Sequence, residues 1–314
     1  MNNQTKNIED EVIVKEEQKP FFIYRKVVKC ISDGISFYTD NFLEFTLISL
    51  PFVVILSLAS TFIPQFNFIS EDIRADLLNF ILQISIFVLL TLLFASLLIC
   101  VTFEYLNQRY INNLGKIKFI SVYRNINACL PKVLLYVFAT LLLSTIFASI
   151  FILILGIETE RFAFEIIKMI ALCLFALLSI FVSVCYTMVL PSVMLGEKKF
   201  LTNFLNGFKT GIFVFPKLLS ASVFVVMVTS IISILLFSPI YVMTMVNTSA
   251  NISILNGDTV NLPDGFSLSL AITYFVVSLI YHYIHIALQM PFVYLYVSAK
   301  VDLDEKAKNE LPLI

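Results

Sequence analysis

The polar side chains that could do chemistry in this apolar sequence are concentrated near its carboxyl end. Ser278, His282, His285 and Gln289 follow one another at intervals of four, three and four residues, so they share one face of a helix. His282 falls in the middle of an apolar run, and ionisable groups at such a depth in a bilayer are costly and normally face a bundle interior or a wet cavity. These four residues, called the polar stripe below, are predicted to line a pathway or to form a polar network.

The polar stripe also has a purely structural interpretation. His and Gln side chains can hydrogen-bond to neighbouring helices, which stabilises a bundle by about 0.6 kcal/mol per bond. Two histidines at this spacing could also bind a metal ion, but no Glu, Asp or Cys lies in the same run to complete a ligand set. The five cysteines are scattered without a CxxC pair, so neither a zinc site nor a disulfide framework is indicated. We therefore predict no metal and no cofactor.

Glu104, at the end of the second apolar run, is a further candidate for chemistry. A carboxylate at that position can reach water, so we expect it to be an interfacial charge. Glu104 and the two histidines are the only basis for an intramembrane enzyme, because the sequence contains no P-loop, G-x-S-x-G, H-E-x-x-H or Rossmann glycine pattern. The sequence therefore favours a non-enzymatic protein.

The composition is that of a polytopic membrane protein. Hydrophobic residues make up 59% and charged residues 14% of the 314 residues, and the mean hydropathy is +0.92. Soluble domains are about 45–50% apolar and about 25% charged. Six apolar runs reach the roughly 20 residues that a helix needs to cross a bilayer core. The predicted spans are 42–63, 78–103, 133–155, 170–195, 218–245 and 267–297. We expect an all-α fold of six transmembrane helices in three hairpins.

Local backbone signals occur within and between these runs. Four runs contain a proline, at positions 51, 191, 239 and 291. Neighbouring helices can satisfy the carbonyls that a proline frees, so we expect kinks rather than breaks.

In the linker between the last two runs, Asn256-Gly257 stands between two short apolar stretches, 253–255 and 260–262, which predicts a small hairpin.

The distribution of basic residues predicts the orientation in the membrane. All 21 Lys and Arg residues except Arg74, Arg161 and Lys168 fall in the amino-terminal segment, the second and fourth linkers and the carboxyl-terminal segment. Under the positive-inside rule both termini are therefore cytoplasmic. Residues 1–19 are polar and of mixed charge, so we expect a disordered cytoplasmic tail rather than a signal peptide. Residues 301–314 are expected to form a second cytoplasmic tail.

An amphipathic segment precedes each odd-numbered span. The clearest runs from Lys198 to Lys217, where Phe200, Phe204 and Phe208 recur every four residues and polar side chains take the other side. Looser copies begin near residues 21 and 119, and helices of this kind lie in the membrane interface. The chain is thus divided into three units of interfacial helix, span, outer loop and span. These repeats lie near 20–117, 118–197 and 198–300. Alternatively, any basic linker between apolar spans looks amphipathic over a dozen residues.

A family resemblance is carried by short motifs around the clearest amphipathic segment. They are Leu190-Pro191-Ser192-Val193-Met194-Leu195-Gly196-Glu197-Lys198, then Asn203, Gly207 and Gly211, with Leu130-Pro131-Lys132 ahead of the third span. In this pattern, residues 20–300 resemble six-span bacterial inner-membrane proteins of the YciC type. They resemble more loosely the membrane domain of glycerophosphoryl diester phosphodiesterases. The resemblance implies an architecture and a location in the bacterial inner membrane. It implies no catalysis, because the chain lacks the soluble domain of the phosphodiesterases.

Three functional hypotheses follow, of which the first is a non-enzymatic scaffold or partner subunit of an envelope process. The second is a transporter or lipid-handling permease whose pathway is lined by the polar stripe. The third is the intramembrane enzyme. The expected partners are membrane lipids, with protein partners or a homo-oligomer also compatible with the sequence, and no nucleic acid.

Overall fold

The computed structural model describes residues 21–61, 73–111, 117, 119–156, 162–256 and 262–310, and every regular element within them is a helix. In chain order the α-helices are α1 (Val27–Asp40), α2 (Phe42–Ser60), α3 (Ile73–Leu106), α4 (Phe119–Leu155), α5 (Phe162–Tyr186), α6 (Val189–Leu195), α7 (Phe200–Phe213), α8 (Phe215–Leu255) and α9 (Phe266–Glu310). A π-helical turn, Asn107–Ile111, extends α3.

Six stretches of the described residues are long and apolar enough to cross a membrane. They are Phe42–Ser60, Ile84–Tyr110, Phe119–Leu155, Ile166–Leu195, Phe215–Ala250 and Phe266–Lys306. The prediction of an all-α, polytopic fold with six spans is therefore confirmed. The expected tail at 1–19 lies outside the described residues, and α9 continues as a helix through the first part of the expected carboxyl-terminal tail.

The amino-terminal segment, the second and fourth linkers and the end of α9 meet at one end of the bundle, called the basic end below. Three contacts show this: Arg25 N–H to Ser298 Oγ (2.7 Å), Ile117 N–H to Glu44 Oε1 (3.0 Å) and Lys217 Nζ to Asp302 Oδ2 (3.8 Å). The segments that hold most of the basic residues are thus collected on one side of the spans.

The three amphipathic segments differ in how they join their spans. α1 ends because Asn41 leaves helical geometry and its side-chain amide donates to the carbonyl of Phe37 (2.8 Å), which satisfies a terminal carbonyl. α7 ends where Val214 leaves helical geometry, with φ and ψ of −101° and 19°, and there the backbone N–H of Val214 donates to the carbonyl of Thr210. The second amphipathic segment is not a separate helix but the first part of α4, which continues through Pro131. The amphipathic segment expected before each odd-numbered span is therefore a separate helix in the first and third units and is continuous with the span in the second.

The fourth span is interrupted at Thr187 and Met188, between α5 and α6. Their N–H groups reach back three residues rather than four, to the carbonyls of Val184 (3.2 Å) and Cys185 (3.3 Å). The cause is Pro191, because a proline in a helix clashes with the carbonyl four residues earlier, here that of Thr187. The expected kink at Pro191 is therefore a break, whereas the other three prolines lie inside continuous helices.

The carbonyls near Pro51 receive hydrogen bonds from other helices. Tyr123 of α4 donates its hydroxyl to the carbonyl of Ile48 (2.6 Å), and Tyr283 of α9 donates to that of Thr46 (3.3 Å). The carbonyl that Pro51 leaves without its usual donor is that of Leu47, four residues earlier. The two hydrogen bonds therefore join α4 and α9 to the adjacent turn of α2, and the expectation that a neighbouring helix satisfies the freed carbonyl stays a prediction.

The predicted hairpin around Asn256-Gly257 is wrong. Its first strand, 253–255, forms the last turn of α8, which ends at Leu255. The short apolar stretch therefore belongs to the helical period of α8. Residues 257–261 lie outside the described part of the chain.

Each amphipathic segment packs against the last span of another unit. The first turns of α4 contact α3, where Asn125 donates to Glu104 Oε1 (2.6 Å), and α7 packs on α6. α1 has no preceding unit, and it packs on α9 of the third unit, in the most extensive contact between any two described helices. The three units therefore close into a ring at the basic end.

α7 leaves part of its apolar surface exposed. Phe200, Phe204 and Phe208 pack against Tyr186, Val189 and Val193, whereas Leu201 is 66% and Leu205 52% exposed. On the packed side, Gly207 is buried against α6 and Gly211 against the end of α5. Exposed leucines on a helix that is otherwise packed fit outer surroundings of lipid tails.

Candidate functional site

A mostly apolar cavity of about 380 Å³ lies between α2, α3, α4, α6 and α9. Three residues of the polar stripe, His282, His285 and Gln289, line one wall of it. The facing walls are mainly aliphatic and aromatic. They include Leu56, Leu98, Ile99 and Leu190. A concave, mostly apolar space with a few converging polar groups is the usual form of a small-molecule site.

The polar stripe lies near the middle of the apolar part of α9. His282 is equally far along the helix from Phe266 and from Ser298, about 24 Å in each direction at 1.5 Å per residue. That His282 lies near the centre of a hydrocarbon core about 30 Å thick stays a prediction. A polar cavity wall at this depth has to be satisfied by other protein groups, by water or by a ligand.

Side chains of α9 itself hold the two histidines in place. Ser278 Oγ lies 3.4 Å from Nε2 of His282, and Gln289 Nε2 lies 3.3 Å from Nδ1 of His285. The ring of Tyr281 stacks on that of His285 with centroids 5.8 Å apart and planes at 30°. The predicted common face is therefore real, although Ser278 supports His282 from outside the cavity lining.

A second cavity of about 290 Å³ shares His285, Gln289 and Tyr281 with the first and is bounded on the other side by α8. One of its lining residues, Val226, is 62% exposed on the surface of the bundle. Both His285 and Gln289 are themselves exposed. The polar stripe can therefore be reached from the bundle surface through the groove between α8 and α9.

Sequence reasoning missed hydroxyl groups on the other walls of the larger cavity. Thr91, Thr102 and Thr187 all line it. Thr102 donates to the carbonyl of Leu98 (2.8 Å) and Thr187 to that of Val184 (2.8 Å). The buried Thr91 Oγ1, by contrast, has no hydrogen-bond partner among the described residues. A lone Thr within an apolar run was the only available signal, and it does not show which helices face one another.

Glu104 belongs to a different cluster at the basic end. Its Oε1 accepts hydrogen bonds from Gln108 Nε2 (2.8 Å) and Asn125 Nδ2 (2.6 Å), and Gln108 in turn accepts from Ser121 (2.7 Å). Glu104 does not line the cavity, although its neighbours Thr102 and Phe103 do. The structure thus does not bring Glu104 together with the histidines.

The chemistry available in the cavity is hydrogen bonding. Two imidazoles, a carboxamide and several hydroxyls converge there, and its lining contains neither a carboxylate nor a thiol. Among the described residues there is no group of three or more His, Cys, Asp or Glu side chains that could hold a metal ion. The cavity is therefore suited to a molecule with a polar, hydrogen-bonding part and an apolar part.

Comparison with known proteins gives no match to a family model, to a curated protein or to a solved structure.

Proposed function

We propose that this multi-pass membrane protein is a permease or lipid-handling protein that binds an amphipathic, lipid-like molecule inside its helix bundle. The observation that carries the proposal is the cavity between α3 and α9, with the polar stripe on one wall and apolar side chains on the others. The polar part of the molecule binds at His282, His285 and Gln289. Its apolar part packs against Leu98 and Leu190.

The energetics of the polar stripe support a ligand with a polar group. Exposed His and Gln side chains in the apolar zone of a membrane lose hydrogen bonds that water would supply, which costs of the order of 1–3 kcal/mol for each unsatisfied group. A headgroup that bonds to His285, Gln289 and the unpartnered hydroxyl of Thr91 recovers that cost. A wholly apolar occupant would leave these groups unsatisfied.

The shape of the site supports entry from the membrane. The smaller cavity meets the larger one at Tyr281, His285 and Gln289 and opens between α8 and α9 beside Val226. A lipid-like molecule can therefore enter from the bilayer between α8 and α9, and its headgroup reaches the polar stripe before its tail enters the cavity.

The proposal is tested by photo-crosslinking of the purified protein in vesicles that contain a lipid with a photoactivatable acyl chain. Crosslinks are expected on α3 and on α9 around the cavity. Ala95→Phe, which fills the cavity from α3, and Gln289→Leu, which removes a polar group from the stripe, should each reduce them several-fold. Ala148→Phe adds the same volume on the lipid-exposed side of α4 and should leave the crosslinks unchanged.

A transport assay shows whether the protein also moves the lipid that it binds across the membrane. In vesicles with a fluorescent lipid in the inner leaflet, the protein should bring that lipid to the outer leaflet, where a membrane-impermeant quencher reaches it. Ala95→Phe should abolish this movement. Crosslinks that are equally strong with Ala95→Phe and with Ala148→Phe would exclude the cavity as the binding site.

The scaffold hypothesis and the location in a bacterial inner membrane remain predictions from the sequence. A scaffold would be recovered from native membranes with a constant protein partner, and its recovery would not depend on Ala95 or Gln289. The same purification therefore distinguishes the two functions.

A further inference from the structure

A second, polar pocket of about 530 Å³ lies at the basic end, between α6, α7 and the end of α9. From α9 it is lined by Tyr296, Lys300, Leu303 and Asp304, which fall on one face of the helix. From α7 and the linker before it come Glu197, Lys198, Asn203, Asn206, Lys209, Thr210 and Phe213. This pocket, called the headgroup pocket below, is separate from the cavity of the proposed function and shares no lining residue with it.

The floor of the headgroup pocket is a buried chain of hydrogen bonds that fixes its shape. Tyr296 donates its hydroxyl to Ser192 Oγ (3.2 Å), Ser192 donates to the carbonyl of Asn203 (2.7 Å), and Asn203 Nδ2 donates to the carbonyl of Lys198 (2.8 Å). Ser192 is 1% and Asn203 4% exposed. The pocket is therefore built into the packing of α6, α7 and α9 and is not a gap between surface side chains.

The rim of the headgroup pocket carries charges of both signs. Lys198, Lys209 and Lys300 line it together with Glu197 and Asp304. In the described part of the chain none of these five has an oppositely charged partner within 4 Å, although Lys217 and Lys306 nearby both pair with Asp302. Three lysines suit a phosphate, which accepts charge-assisted hydrogen bonds. The two carboxylates suit an ammonium group.

The surroundings of the headgroup pocket place it at the level of lipid headgroups. The outer face of α7 presents exposed Leu201, Leu205 and Ile212, which suit lipid tails. At the edge of the pocket Phe213 is 54% exposed and offers an apolar surface for an acyl chain. Tyr296, at the pocket floor, is an aromatic residue of the kind enriched at membrane interfaces.

From this arrangement we propose that the headgroup pocket binds a phospholipid whose headgroup combines a phosphate with a primary ammonium. The phosphate lies among Lys198, Lys209 and Lys300. The ammonium lies at Glu197 and Asp304, and the first acyl carbons contact Phe213.

Native mass spectrometry of the full chain in detergent tests this proposal with phosphatidylethanolamine and phosphatidylglycerol of identical acyl chains. Phosphatidylethanolamine should be retained more tightly. Lys209→Gln/Lys300→Gln should weaken its binding at least about tenfold, since the double substitution removes two charge-assisted hydrogen bonds to the phosphate. Lys26→Gln/Lys199→Gln makes the same change in net charge on exposed lysines outside the pocket and should bind as the unaltered protein does.

Two further measurements test the roles of the two carboxylates and of the lipid tail in binding. Glu197→Gln/Asp304→Asn should abolish the preference for ethanolamine over glycerol headgroups. Soluble glycerophosphoethanolamine, which lacks acyl chains, should not displace the lipid at equal concentration. Thermal unfolding of all these variants checks that the exposed substitutions leave the fold intact.

Three results would overturn the proposal: unchanged binding by Lys209→Gln/Lys300→Gln, equal binding of the two phospholipids, or full displacement by the soluble headgroup. Ala95→Phe in the central cavity should leave this binding unchanged. The two proposals can therefore be refuted separately, since lipid binding in the headgroup pocket does not depend on the central cavity.

Discussion

Arg25 is the residue on which the docking of α1 depends. Its guanidinium pairs with Asp33 (2.9 Å), donates to the carbonyls of Phe21 (2.8 Å) and Ile23 (3.2 Å) and lies 5.1 Å above the ring centre of Tyr294. Only 4% of its side chain is exposed. A buried cation of this kind is tolerated because nearly all of its donors are used.

Removal of Arg25 should therefore be costly. Arg25→Ala leaves Asp33 without its buried partner and should lower the free energy of unfolding by about 3 kcal/mol, measured by thermal or denaturant unfolding in detergent. Lys29 also pairs with Asp33 (2.9 Å), but 54% of its side chain is exposed, so Lys29→Ala should cost less than about 1 kcal/mol. Equal losses from the two substitutions would contradict the assignment of the buried pair.

Cys30 shows how dry the contact between α1 and α9 is. Burial raises the pKa of its thiol from 9.0 to about 11, although the positive charge of Arg25 acts in the opposite direction. The folded protein thus keeps the thiol protonated where the unfolded chain ionises it. The stability that Cys30 contributes is complete below pH 9.0 and declines as the pH rises from there towards 11.

At the scale of elements, two helices are held by the close approach of glycine to a neighbouring backbone. A Cβ on Gly34 of α1 would lie 2.5 Å from the nitrogen of Pro291. A Cβ on Gly207 of α7 would lie 2.8 Å from Cα of Val189, and one on Gly211 would clash with the carbonyl oxygen of Cys185. The G-x-x-x-G spacing of α7 therefore serves packing within the chain.

Alanine at these glycines should destabilise the protein although alanine favours helix. Gly211→Ala gains about 1 kcal/mol of helix propensity, but the new methyl group meets backbone atoms that cannot rotate away, and such overpacking costs about 1–3 kcal/mol. We expect a net loss of unfolding free energy. Thr202→Ala on the exposed face of α7 is the matched control and should be neutral or stabilising, so a stabilised Gly211→Ala protein would contradict the close packing.

The helices and the polar stripe were predictable because each depends on local sequence. The spacing of His282 and His285 fixes their common face whatever the neighbours are. The cavity was not predictable, since Thr91 and Thr187 meet the stripe only through packing between distant helices. Nor was the exposure of Leu201 and Leu205 on α7, because periodicity marks apolar positions without stating which of them the neighbouring helices cover.

At the scale of the molecule, the ring of three units joins segments that are far apart in sequence. Ser298 accepts from the N–H of Arg25 (2.7 Å) and donates to its carbonyl (2.9 Å) across 273 positions. The repeat of amphipathic segments was visible in the sequence, but nothing local indicated that the first copy would pack on the last span. The helix on which α1 packs is determined by the packing of all the helices in the bundle.

The orientation of the bundle remains a prediction that fusion proteins can test. With both ends cytoplasmic, green fluorescent protein should fluoresce at either terminus and alkaline phosphatase should be inactive there. Alkaline phosphatase inserted into the linker 157–161 should be active and serves as the control. Phosphatase activity at either terminus would reverse the orientation and place the headgroup pocket on the outer face.

The docking of α1 on α9 has a consequence for biosynthesis. α1 is synthesised well before α9, so the most extensive helix contact among the described residues cannot form until α9 has been made. Until then Arg25 and Gly34 lack the helix that covers them, whereas Phe37 already packs on Tyr105 and Tyr110. A chain that stops before α9 keeps the docking face of α1 open to membrane proteases and chaperones.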